Sequence, residues 1–188
     1  MEVSVGVSNR HVHLCYDDYK LLFGDLDLTK KVDLNQPGEF ASINTVTIKG
    51  SKGEIEKVRV LGPLRSYSQV EVSKTDSYKL GVNPPIANSG DLENAFEITI
   101  IGPKGSITRK ACIIATRHIH IDKDIIKKYQ LENRKQVKVR VNSIKGGILE
   151  NVYLKESDKA YFEIHLDTDD ANAFLLKQND LVEIILED

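Results

Sequence analysis

The sequence predicts a mainly β protein built of small β-barrels capped by short α-helices. Three observations predict it. Valine, isoleucine and threonine are plentiful, tryptophan is absent and aromatic residues make up 6% of the chain, a composition that favours strands. Short apolar runs bounded by turn residues recur along most of the 188 residues, as in compact barrels. Twice, two such runs flank a turn opened and closed by glycine, Gly50-Ser51-Lys52-Gly53 and Gly102-Pro103-Lys104-Gly105, which reads as a β-hairpin.

Taken in order, the chain opens on a strand and continues into a helix over Asp17–Phe23. The first hairpin joins Thr45–Lys49 to Ile55–Leu61, and a helix is expected at Thr75–Leu80. The second hairpin joins Glu97–Ile101 to Ser106–Ile114. After a helix at Asp122–Tyr129 come strands at Gln136–Val141, Gly147–Leu154 and Tyr161–Leu166. A last helix, Asp169–Leu176, precedes the strand Leu181–Leu186. Aspartate opens several of these helices, where its carboxylate can accept hydrogen bonds from free amides. Asn35–Ser42 and Asn83–Asp91 are the loops richest in turn residues.

One motif occurs twice. Residues 8–14 read Ser-Asn-Arg-His-Val-His-Leu, and residues 115–121 read Ala-Thr-Arg-His-Ile-His-Ile. Alternate side chains of a strand share a face, so His11 and His13 point the same way, as do His118 and His120. Each pair can offer two imidazoles to one metal ion. Following the repeat, Gln69-Val70-Glu71 aligns with Glu163-Ile164-His165, which places Glu71 opposite His165, the one remaining histidine. Asp76 then aligns with Asp170, each near the start of an expected helix. The predicted ligand sets are His11, His13 and Glu71, and His118, His120 and His165. Three nitrogen and oxygen ligands with an open fourth position suit catalytic zinc, with cobalt, nickel or manganese as substitutes. Two ions per chain are expected. The alternative is a polar cleft lined with imidazoles and no metal.

Composition narrows the rest. A net charge of −2 provides no basic field for nucleic acid. Cys15 and Cys112 are too few for a disulfide framework and read as small buried or half-buried residues. The start, Met1-Glu2-Val3-Ser4-Val5, has no charged-then-apolar leader. No apolar run approaches the roughly 18 residues of a membrane span. A soluble, cytoplasmic protein is expected, without membrane or nucleic-acid partners. Arg65, in Gly62-Pro63-Leu64-Arg65, lies close before Glu71 and could grip phosphate or carboxylate with its planar fork; a surface arginine is the commoner occupant of such a position. Ser89-Gly90-Asp91 reads as a turn that could present a hydroxyl or amides to a ligand.

Gly6-Val7-Ser8-Asn9-Arg10-His11-Val12-His13-Leu14 resembles the opening motif of the PduL-type phosphate acyltransferases, or phosphate propanoyltransferases. The likeness continues through Gly62-Pro63-Leu64-Arg65, Gln69-Val70-Glu71, Leu80-Gly81 with Pro84-Pro85, Ser89-Gly90-Asp91-Leu92, Arg117-His118-Ile119-His120 and His165-Leu166-Asp167-Thr168-Asp169. The resemblance spans the chain from about Val3 to its end. It implies reversible transfer of a short acyl group, propanoyl or acetyl, between coenzyme A and phosphate, with two zinc ions. It implies two interwoven barrels, one from residues 15–111 and one from residues 1–14 with 112–188. It carries the six metal ligands onto the residues above and gives Arg65 the phosphate-binding role. Tyr78, on the helix after Glu71, could stack on the adenine of coenzyme A or simply pack on its helix. Relatives directed into bacterial microcompartments carry an N-terminal extension; here the chain opens almost at the first barrel strand, which puts that targeting in doubt.

The expected chemistry is direct attack by zinc-bound phosphate on the thioester carbonyl. The three-histidine set with Arg65 is expected to hold phosphate, and the Glu71 set to face the departing sulfur. The ligands alone also suit a two-zinc hydrolase; the other alternative, a binding module with structural zinc, is disfavoured by three ligands per site, since structural zinc usually takes four and favours cysteine. Acyl preference, pathway and oligomeric state stay open, and a homo-oligomer is compatible with everything above.

Overall fold

The structure, a computed structural model, describes residues 1–156 and 161–186. In chain order its elements are β1 (Glu2–Ser8), β2 (His11–Cys15), α1 (Tyr16–Phe23), β3 (Lys30–Asp33), β4 (Phe40–Lys49), β5 (Glu54–Arg65), β6 (Gln69–Glu71), α2 (Lys74–Leu80), β7 (Ile86–Ala87), β8 (Phe96–Ile101), β9 (Ser106–Ala115), β10 (His118–Ile121), α3 (Lys123–Lys128), β11 (Gln136–Val141), β12 (Gly147–Glu156), β13 (Glu163–Asp167), α4 (Thr168–Ala173) and β14 (Leu181–Ile185). Strands dominate, as the β-branched composition predicts. Among the described residues, no helix is long and apolar enough to cross a membrane.

The chain falls into two units, Arg10–Ala115 and Met1–Asn9 with Thr116–Asp188. In the central unit β4, β5, β2, β6, β9 and β8 are hydrogen-bonded in that order, and β8 returns to β4 to close the ring. β2 runs parallel to β5 and antiparallel to β6, and β6 is parallel to β9. In the terminal unit β11, β12, β10, β13, β1 and β14 form a closed barrel. There β10 runs parallel to β12 and antiparallel to β13, and β13 is parallel to β1. The two six-strand rings therefore match position by position, with β2 equivalent to β10, β6 to β13 and β9 to β1.

This matching shows how the barrels interweave. β1 precedes β2 in the chain but completes the ring of β10. β9 precedes β10 but completes the ring of β2. The divisions consequently lie at 9/10 and 115/116 rather than at the expected 14/15 and 111/112. His11–Leu14 belong to the central unit because β2 pairs with β5 and β6. Residues 112–115 belong there because β9 runs unbroken from its hairpin with β8 to Ala115. Residues 157–160 and 187–188, inside the span expected for the second barrel, lie outside the described residues.

Each ring closes around its own apolar core. Val12, Leu14, Ile48, Val60, Val70 and Ile100 are buried together in the central unit. Val5, Ile119, Ile121, Val139, Ile164 and Leu166 fill the terminal one. β11 shows the rule most plainly: its residues alternate between exposed and buried along the whole strand. β3 was not expected. All four of its residues are exposed, so it lacks the alternation that marks a strand, and it is held only as an edge partner of β4. β4 also begins five residues before Thr45, in the stretch expected as loop.

The helices close local gaps. Ser73 caps α2 by accepting from the Asp76 amide, while Asp76 accepts in return from the Ser73 amide. Asp122 caps α3 and Asp167 caps α4. α1 starts at Tyr16, ahead of the expected Asp17, and has no side-chain cap. Gly81 ends α2 in the left-handed conformation, at φ 69°, where a side chain would be strained. Both glycine-bounded turns then serve twice: the Lys52 amide donates to Leu80 O at the end of α2, and the Lys104 amide donates to Leu22 O in α1.

Candidate metal centres

The His-x-His strands place their ligands by elementary alternation. Val12 and Leu14 enter the central core and Ile119 and Ile121 the terminal one. The intervening histidines therefore lie on the opposite face of each strand. Register brings the third residue to them. His11 is paired with Glu71 across β2 and β6, and His118 with His165 across β10 and β13.

The structure thus gathers two groups, His11, His13 and Glu71 in one unit and His118, His120 and His165 in the other. Within each, one ligating atom per residue lies within 4.8 Å of the others. His11 Nε2 is 3.5 Å from Glu71 Oε2. The His11 and His13 rings are 4.9 Å apart, edge to face. In the second group the ring separations are 5.0, 5.0 and 4.8 Å. His118 Nδ1 lies 2.9 Å from Thr116 O. A carbonyl can only accept, so that nitrogen carries the proton and leaves the Nε2 lone pair for an ion. Burial drives the His120 pKa down to about 3, aided by the neighbouring His165 and His118; a buried imidazole that stays neutral keeps its lone pair. Nitrogen and oxygen donors at this spacing suit a divalent transition metal, so both groups fit the ions that the sequence suggests.

Sequence reading missed the residues that brace these groups. The residue two before the third ligand is buried in both units: Gln69 opposite His13, and Glu163 opposite His120. Gln69 Nε2 donates to Glu71 Oε1 at 2.6 Å and to Ser89 Oγ at 2.9 Å, while Gln69 Oε1 accepts from the Gly90 amide. The Tyr161 hydroxyl donates to Glu163 Oε1 at 2.6 Å, and Gly6 leaves the space that the carboxylate fills, since a Cβ there would collide with it. The pattern Gln-x-Glu and Glu-x-His was a usable signal, because it repeats the one-residue alternation of the histidine pairs.

A second repeated feature is an ion pair. Arg10 meets Asp76 through Nε at 2.8 Å and Nη2 at 2.7 Å. Arg117 meets Asp170 through Nε at 2.8 Å and Nη2 at 2.6 Å. Each arginine directly precedes the first histidine of its pair, and each aspartate stands at the third position of the helix that follows the third ligand. The two-pronged geometry ties the start of the ligand strand to that helix. Asp76→Ala should destabilise the protein by roughly 2–4 kcal/mol, because it removes the reciprocal half of the α2 capping box and strips Arg10 of a buried partner. Urea unfolding, compared with Arg10→Ala and the double variant, measures this; additive effects would show that the two side chains do not act together.

Arg65, at the end of β5, is paired in register with Cys15. It therefore lies in the unit that carries Glu71, not in the unit of the three histidines with which it is expected to hold phosphate. Its guanidinium is half-buried, and among the described residues its polar contacts are all long: Tyr67 Oη at 3.3 Å, Ser89 Oγ at 3.4 Å and Glu39 Oε1 at 3.3 Å. Arg10 and Arg117, by contrast, are locked by short paired bonds. Ser89 joins Arg65 to Gln69, and Gln69 joins Ser89 to Glu71. Tyr78 points outward from α2, 70% exposed, with Lys74 Nζ 5.0 Å from its ring centre; neither group of ligands includes it. Burial pushes the Cys112 thiol up to about 12, so it carries no thiolate near neutral pH.

Fold and site together define a protein of two interwoven barrels with one candidate metal centre on each. Comparison with known proteins gives the family. The family model described as phosphate propanoyltransferase matches residues 4–177. Proteins named phosphate propanoyltransferase from Priestia megaterium, Thermotoga maritima and Rhodopseudomonas palustris are 51%, 47% and 45% identical, over 95%, 97% and 97% of this chain and 83%, 89% and 82% of their own lengths. The chain belongs to the phosphate propanoyltransferase family.

Proposed function

We propose that the protein transfers a short acyl group, propanoyl or acetyl, between coenzyme A and inorganic phosphate: acyl-CoA plus phosphate gives acyl phosphate plus coenzyme A. Family membership supports acyl transfer to phosphate. The observation that carries the site assignment is the hydrogen-bonded path Arg65–Ser89–Gln69–Glu71. It links a loosely held guanidinium, through Ser89 and Gln69, to a group of side chains that could hold a metal ion.

In this reading His11, His13 and Glu71 hold one zinc ion and His118, His120 and His165 a second. When bound, the ions would supply Lewis-acid stabilisation of the developing charge and a soft partner for the leaving thiolate. Arg65 grips phosphate with its planar fork and Ser89 donates beside it, which fixes the nucleophile and replaces part of its water shell. Gln69 keeps the Glu71 carboxylate directed. A phosphate oxygen then bonds to the thioester carbon as the carbon–sulfur bond breaks, and the electron pair leaves with sulfur. Direct attack calls for no protein nucleophile, in keeping with the burial of Cys112. The exposed ring of Tyr78 supports a place for the adenine of coenzyme A on α2.

The test is release of free thiol from acetyl-CoA and propanoyl-CoA, with and without phosphate, by protein whose metal content is measured. Thiol release that requires phosphate, from protein holding two equivalents of zinc, is the expected result. Release without phosphate would make the protein a hydrolase; no release at all would make it a binding module.

A further inference from the structure

Among the described residues, Glu39 is the one carboxylate that touches Arg65. It follows the turn between β3 and β4, where the Glu39 amide donates to Gln36 O and the Leu34 amide donates to Glu39 O. The tip of that turn, Asn35, Pro37 and Gly38, is exposed, whereas Glu39 turns inward. Its side chain is 17% exposed and that of Arg65 21%. The pair is single-pronged and 3.3 Å long. That is well outside the short two-pronged geometry that strong arginine–carboxylate pairs adopt and that Arg10 and Arg117 show in this same chain. Ser89 Oγ and Tyr67 Oη touch Arg65 at the other terminal nitrogen, Nη1. The Nη2 side of the fork is left to Glu39.

We propose that Glu39 is a displaceable counter-ion that sets the affinity for phosphate. It occupies one edge of the Arg65 fork in the free protein and yields that edge to an incoming phosphate oxygen. The inference rests on the phosphate-binding reading of Arg65. Its physical basis is a difference of charge. A phosphate dianion and the Glu39 carboxylate repel each other at one guanidinium, so binding the dianion expels the weaker, single-pronged partner. The free protein thereby avoids a half-buried unpaired arginine, and phosphate binds more weakly than it would to Arg65 alone. An exposed turn at the end of an edge hairpin is the kind of segment that can swing away at small cost.

The test compares wild type, Glu39→Gln, Arg65→Lys and the double variant as full-length, metal-loaded proteins. Phosphate binding is measured by calorimetric titration with inorganic phosphate, and the phosphate and acyl-CoA KM values are measured separately. Removing a partly exposed counter-ion should tighten phosphate binding about two- to fivefold. The gain should appear in the phosphate KM, not in the acyl-CoA KM, should shrink at high salt and should vanish in the double variant. Unchanged phosphate binding in Glu39→Gln would overturn the proposal. Weaker binding would also overturn it, since Glu39 would then be a support that holds Arg65 in place. If Arg65→Lys binds phosphate like the wild type, the fault lies instead with the reading of Arg65. Thermal melting of each variant separates these results from loss of fold.

Discussion

Replacing His120 by alanine should slow acyl transfer by more than about a hundredfold and remove about half of the bound metal. Loss even of a residue that only braces a ligand commonly costs 10–100-fold in metal affinity or activity, and losing one of three direct ligands leaves the ion both weakly held and misplaced. His120 is buried, and its ring stands 4.8 Å from that of His165. His11→Ala should act alike at the other centre. Elemental analysis, thiol release and circular dichroism on both variants decide the matter. Near-normal turnover in both would show that these residues are not the ligands.

Arg65→Lys should raise the phosphate KM, lower kcat, or both, for a combined loss of about ten- to a hundredfold in kcat/KM for phosphate. Lysine keeps the charge but has neither the planar fork nor the second prong. The KM for acyl-CoA should stay near its original value. Steady-state kinetics with each substrate varied in turn give the answer, and unchanged phosphate kinetics would return Arg65 to the rank of an ordinary surface charge.

The gathering of both ligand groups was legible because it rests on short-range rules. Alternation puts His11 with His13 and His118 with His120. Internal repetition then points to Glu71 and His165, whose register opposite His11 and His118 is the spatial form of that alignment. The helices after β10 and β13 were legible from the aspartates near their starts. What escaped depends on where strands go. Nothing in Ser8-Asn9-Arg10 announces that the chain passes from one barrel to the other, since polar residues in a short strand mark an ordinary turn equally well. β3 buries nothing and so leaves no pattern. The partners of Arg10 and Arg117 lie 66 and 53 residues away, and Glu39 reaches Arg65 across 26 residues. Such pairs are set by tertiary contact, which no local period records.

The exchange of β1 and β9 between the rings has a consequence for how the chain is made. The central barrel is assembled from one uninterrupted stretch, Arg10–Ala115, and can close while the rest is still being synthesised. The terminal barrel cannot. Its first stave, β1, is synthesised before the whole of the central barrel. It must then wait for β13 and β14, with Val5 paired to Ile164 and Val3 to Val182. The Met1 amine finds Ile184 O across 183 positions. Until then an apolar strand has both edges open, the condition in which strands pair wrongly with other chains. β13 and β14 therefore shelter β1, and a nascent chain released before them would leave that strand exposed.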